Sequence, residues 1–120
     1  MMLHFALLLL LTAGCDARNI LVVLLDDVDY QPQTLSLGLP NVTNYFRTNG
    51  VIYNNAFVTT PICCPSRASI LTGTYQHNHR TYDNTVYNGC DGPNWDTNVA
   101  PNSMGKRLRD MGYKTGMFGE

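Results

Sequence analysis

The chain is poor in charge. Lys and Arg contribute 8 residues and Asp and Glu 9, so 14% of the 120 residues are charged and the formal net charge is −1. No long basic run is present to supply the phosphate contacts that dominate nucleic-acid binding, so no nucleic-acid partner is expected. Long hydrophobic runs are also lacking. The most apolar stretch begins near Phe5 and contains five consecutive leucines, Leu7 to Leu11, which is too short to cross a bilayer as a helix. There is no internal repeat, and the length suffices for one small domain.

That short apolar run has the length of a signal-peptide core and is followed by the small residues Thr12, Ala13 and Gly14. Residues 1–17 are expected to be a signal peptide, cleaved after Gly14 or Ala17. The weakly basic start leaves an uncleaved anchor open, and Cys15 leaves open a lipoprotein cleavage box. Export places the chain in the secretory pathway, lysosomal or secreted, with no stable membrane span after cleavage. Asn41-Val42-Thr43 is a glycosylation sequon, which fits that route and marks Asn41 as a candidate glycan site.

The segment Asn19 to Leu25 is, after Asn19, an unbroken β-branched and leucine run that halts at Asp26-Asp27. A strand buried on both faces of a parallel sheet has this pattern, and its C-terminal edge is where open α/β sheets hold ligands. A helix is predicted from Pro40 to Asn49, with Pro40 in its first turn and Asn49-Gly50 at its end. Residues 51–58 read as a second strand. Ser66 to Thr72 reads as a helix with Ala68, Ile70 and Leu71 packing inward and Gly73 as its stop. Residues 74–101, rich in Asn, Tyr, Asp, Gly and Thr, read as a long surface loop. Asn102 to Gly112 reads as another helix with Met104, Leu108 and Met111 on its inner stripe. A strand is predicted to begin at Tyr113.

The chemistry centres on Cys63-Cys64-Pro65-Ser66-Arg67-Ala68-Ser69-Ile70-Leu71-Thr72-Gly73. This run resembles the signature of the type I sulfatases, in which the first residue of Cys-x-Pro-Ser-Arg is oxidised to formylglycine. Two weaker matches stand in the same order: Asp26-Asp27 after the first strand, and Gly112-Tyr113-Lys114-Thr115-Gly116. The resemblance spans residues 19–119. It implies an alkaline-phosphatase-like α/β fold with a central, mostly parallel sheet, of which residues 18–120 are the N-terminal part of the catalytic domain. The implied activity is sulfate-ester hydrolysis, and the implied cofactors are Ca2+ and formylglycine at residue 63.

By that resemblance Cys63 supplies the nucleophile after conversion by a formylglycine-generating enzyme, which reads Cys63, Pro65, Ser66 and Arg67. The hydrated aldehyde attacks sulfur with one hydroxyl and displaces the alcohol; its second hydroxyl then loses a proton and expels sulfate. A seryl sulfate has no such second hydroxyl. Arg67 is implied to stabilise the developing negative charge. Ser66 serves recognition by the modifying enzyme or helix capping. Asp26, Asp27 and residue 63 are implied calcium ligands, and carboxylate oxygens suit that hard cation. Outside the resemblance, paired Asp residues are ordinary turn formers and Cys63 an ordinary thiol.

With Cys63 assigned by the resemblance, Cys64 and Cys90 remain as a candidate disulfide, although sequence does not fix connectivity. Tyr75-Gln76-His77-Asn78-His79 has spacings unlike a structural zinc site. It resembles the N-acetylglucosamine-6-sulfatase branch and the extracellular heparan endosulfatases, which makes His77 and His79 candidate contacts to a sulfated glycan such as heparan or keratan sulfate. Ordinary loop hydrogen bonding accounts for the two imidazoles equally well. At Glu120 the family normally carries a sulfate-binding Lys. With that Lys and later ligands missing, the chain as written is not expected to turn over substrate. The competing readings are a non-catalytic fragment, a cysteine-dependent phosphatase and a metal-dependent phosphodiesterase. The phosphatase fits poorly, because Cys63 and Arg67 are separated by three residues where its phosphate loop uses five.

Overall fold

The computed structural model describes residues 18–29, 31, 33 and 37–119. The signal-peptide reading of residues 1–17 and the reading of Glu120 lie outside the described residues. Helix α1 spans Pro40–Asn49, with Pro40 in its first turn and Arg47 in its last, where a cation meets the negative end of the helix dipole. Its end is closed by the Gly50 amide on the Phe46 carbonyl at 2.9 Å. These are the bounds the sequence predicts.

Helix α2 spans Cys63–Thr72 and begins three residues before the predicted start at Ser66. Pro65 is tolerated because it lies in the first turn, where a backbone N–H has no intrahelical acceptor. The end is as predicted: Gly73 adopts φ 68° and ψ 22°, and its amide donates to the Ser69 carbonyl at 2.9 Å. Ala68 is fully buried and Leu71 half-buried, whereas Ile70 is 44% exposed.

Residues 74–101 depart from the expectation of a surface loop. They contain the short helix α3, Gln76–His79, a π-helical turn, Trp95–Val99, and the start of a 3-10 turn, Ala100–Asn102. They also bury His79, Thr81 and Val99. No apolar period announces this, because polar side chains fix the backbone instead. Asn94 donates to the His79 carbonyl at 2.9 Å, Gln76 to the Thr81 carbonyl at 3.2 Å and Asn102 to the Asn98 carbonyl at 3.0 Å. These bonds satisfy main-chain acceptors that would otherwise need water.

Helix α4 spans Met104–Asp110, capped by Ser103, whose hydroxyl accepts from the Lys106 amide at 3.2 Å. Met104 and Leu108 are half-buried, but Met111 falls just past the helix and is 68% exposed. Helix α2 packs on α3, α4 and the π-helical turn, so the small core sits around Ala68 and Val99.

Among the described residues no strand is formed, and the central sheet is not seen. Residues 19–25, 51–58 and 113–119 lack ladder partners, and Leu21, Phe57 and Phe118 are 87%, 89% and 97% exposed. A strand's backbone groups need a neighbour across a ladder, so an apolar run alone does not make one.

Candidate functional site

The first turn of α2 brings residues 63 and 67 to one face of the helix, since positions four apart are neighbours there. Cys63 is half-buried and not disulfide-bonded. The turn after residues 19–25 comes up against this face. The ligand atoms of Asp26, Asp27 and Cys63 all lie within 4.8 Å of one another. Arg67 Nη2 donates to Asp26 Oδ1 at 2.9 Å, with the Arg67 side chain 18% exposed and that of Asp26 57% exposed. Asp27 holds a left-handed backbone, φ 50°, which Asp tolerates better than most residues. Residues 41 positions apart in sequence, Asp26 and Arg67, thus meet beside Cys63.

The donor set is two carboxylates and one thiol. Carboxylates favour hard divalent cations and thiolates softer ones, so the three groups fit a divalent cation whose identity depends on the state of residue 63.

The neighbouring Cys64 forms a disulfide with Cys90. The Cys90 amide points at Cys64 Sγ, at 3.1 Å, and Asn84 Oδ1 accepts from the Cys64 amide at 2.9 Å. Pro65 is buried and Ser66 half-buried. Ser66 does not cap the helix: its amide already donates to the Ile62 carbonyl at 3.0 Å, and Ile62 holds the cap position. Asn41 is exposed in the first turn of α1.

The two imidazoles have different surroundings. His77 is exposed and stacks on Tyr75, ring centroids 6.0 Å apart and planes 9° apart. Tyr75 also lines an open cleft with Phe57, Ser66 and Ser69. His79 is 2% exposed. Its Nδ1 accepts from the Thr81 amide at 3.2 Å, which places the proton of the neutral ring on Nε2, 2.9 Å from Ser69 Oγ. Burial and the adjacent His77 push its pKa below the ordinary value of 6.5. The surface that the sequence assigns to both histidines therefore contains His77 alone. Residues two apart on a helix do not share a face, and that spacing was the available signal. Asn84, which holds α2 from outside, and Ser69, which ties α2 to His79, carried no comparable signal.

Residues 18–120 match the family model described as Sulfatase. Among curated proteins, the chain is 37% identical over 102 residues to an extracellular sulfatase SULF-1 homolog of Drosophila melanogaster, covering 85% of this chain and 9% of that protein. It is 35% identical over 126 residues to the N-acetylglucosamine-6-sulfatase of Homo sapiens, covering 96% and 23% respectively. It is 34% identical over 109 residues to arylsulfatase K of Bos taurus, covering 88% and 18%. The chain therefore spans less than a quarter of the length of these relatives. No solved structure matches it. With residues 18–120 matched to that model, and Asp26, Asp27, Cys63 and Arg67 gathered at one point, the chain belongs to the sulfatase family.

Proposed function

We propose that this chain carries the nucleophile half of a formylglycine-dependent sulfatase site, acting on sulfate esters of glycosaminoglycans with 6-O-sulfated N-acetylglucosamine as the preferred unit. The observation that carries the reading is the convergence of Asp26, Asp27 and Cys63 within 4.8 Å, with Arg67 on Asp26, inside the Cys-Cys-Pro-Ser-Arg run. Conversion of Cys63 replaces its sulfur by oxygen and makes the three-residue donor set entirely oxygen, which suits Ca2+. That cation, when bound, lowers the pKa of a hydroxyl on residue 63 and draws sulfate oxygens toward the site.

The protein's own groups have separable tasks. Residue 63, as its hydrated aldehyde, presents one hydroxyl to sulfur and keeps the second to release sulfate. Arg67, held by Asp26, offers guanidinium donors to the negative charge on residue 63 and the sulfate. His77 and Tyr75 present an exposed ring pair to the sugar, while His79 acts inside the fold as a link between α2 and the segment after α3. The relatives named for extracellular sulfatase and N-acetylglucosamine-6-sulfatase support the substrate class and a secretory-pathway location. Asn41 is then a glycan acceptor, and residues 19–25 and 51–58, which form no strand in this structure, are the segments that would pair in the family's sheet.

The test is mass spectrometry of the peptide spanning Cys63, from chain made in a secretory host containing the formylglycine-generating enzyme. The expected result is the mass loss for thiol to aldehyde at Cys63 and none in Arg67→Ala, because Arg67 belongs to the recognised motif. An unconverted Cys63, beside a known sulfatase that is converted in the same cells, would overturn the proposal.

A further inference from the structure

The start of α2 lacks a cap of its own. Ile62 has the extended backbone of a cap residue, φ −97° and ψ −157°, but its side chain has no acceptor. Of the amides ahead of the first intrahelical bond, which the Ser66 amide makes to the Ile62 carbonyl at 3.0 Å, Pro65 has no N–H to satisfy. The Cys64 amide is satisfied from 20 residues away, by Asn84 Oδ1 at 2.9 Å. The turn that presents Asn84 is itself tied down. Asp83 accepts from the Thr85 hydroxyl at 2.6 Å and the Thr85 amide at 2.8 Å, and from Asn88 at 3.3 Å. The Cys64–Cys90 disulfide fixes the far end of the same segment to the same residue.

We propose that Asn84 is a positioning residue: it caps α2 from a distance and thereby holds residue 63 at the first helical position, against Asp26 and Asp27. Its role in turnover rests on the function proposed above, but its geometric role does not. Without this cap the first turn frays, Cys63 swings away from the carboxylates, and Arg67 one turn on no longer shares their face. The disulfide alone does not prevent this, because it restrains the Cys64 side chain and leaves its exposed amide to water, which does not fix the turn.

The test uses Cd2+ on unconverted chain in a Cys15→Ser background with the disulfide intact, following the thiolate-to-cadmium absorbance that Cys63→Ser must abolish. Asn84→Leu is expected to weaken Cd2+ binding about tenfold, as loss of a group orienting a ligand does, and adding Ile62→Ser is expected to restore it to within about twofold. Ser at position 62 can accept from the Cys64 amide itself, so it repairs the cap without repairing the distant turn. An unchanged affinity in Asn84→Leu, a loss that Ile62→Ser does not restore, or no cadmium band in the parent chain would each overturn the proposal. Conversion of Cys63 is read separately by mass: a chain that converts but ignores Asn84 keeps the sulfatase reading and loses this one, and the reverse result does the opposite.

Discussion

His79 is restricted by its neighbours in a way that makes its charge state a stability question. Its Nδ1 faces the Thr81 amide, so protonation would set two N–H groups against each other inside a site where the residue is 2% exposed. Its pKa in the folded chain is below 6.5, with burial the larger cause and His77 the smaller. Between the folded and unfolded values the unfolded chain binds more protons, so stability rises with pH in that window. The contribution is therefore complete above 6.5 and is lost as pH falls from there toward the folded value. Urea midpoints are expected to be lower at about pH 5 than at about pH 7.5, and the difference is expected to shrink in His79→Gln. An equal difference in that variant would remove His79 as its source. The pair also marks a limit of reading residues alone: spacing says that His77 and His79 take different faces, and only the placement of α3 against Ser69 says which of them is buried.

At the scale of the element, α2 matters most because it carries both residue 63 and Arg67. Its end depends on Gly73, whose φ of 68° is a left-handed conformation. A Cβ at that position would meet nothing within 4 Å, so the cost of Gly73→Ala is conformational with no steric addition. Gly73→Ala is expected to destabilise the chain by about 1 kcal/mol, read from urea midpoints. A neutral result would mean that this helix end is frayed. The end of α2 was legible because Gly is the residue this cap requires. Its start was not, because the acceptor belongs to Asn84. Helix α1 was legible at both ends, from Pro40 and from Asn49-Gly50, since both signals are local.

At the scale of the whole molecule, three apolar segments form no strand ladder among the described residues. Residues 20–25 are each at least 45% exposed, and Val51, Tyr53, Phe57 and Val58 are at least 75% exposed, while among the described residues the fully buried hydrophobic ones are Ala68 and Val99. Burying a Val contributes about 2 kcal/mol, so this core supplies little against the entropy of ordering the chain. The apolar runs were legible as strand material. Their pairing was not, because a sheet is a property of several segments together, and among the described residues none of these runs pairs as a strand. The motif's residues, by contrast, are gathered by one helix and one turn and need no sheet to meet. The cross-link between Cys64 and Cys90 closes a separation of 26 residues around this same region. By loop-closure entropy such a link contributes about 3.5 kcal/mol, a large share of what so small a core can hold. The 120-residue chain is therefore expected to bind an apolar dye such as ANS while oxidised, and to lose its cooperative urea transition in Cys64→Ala/Cys90→Ala. Weak dye binding together with a steep urea transition in the disulfide-free variant would mean that the apolar segments pair with one another in solution and that the chain folds as a closed unit.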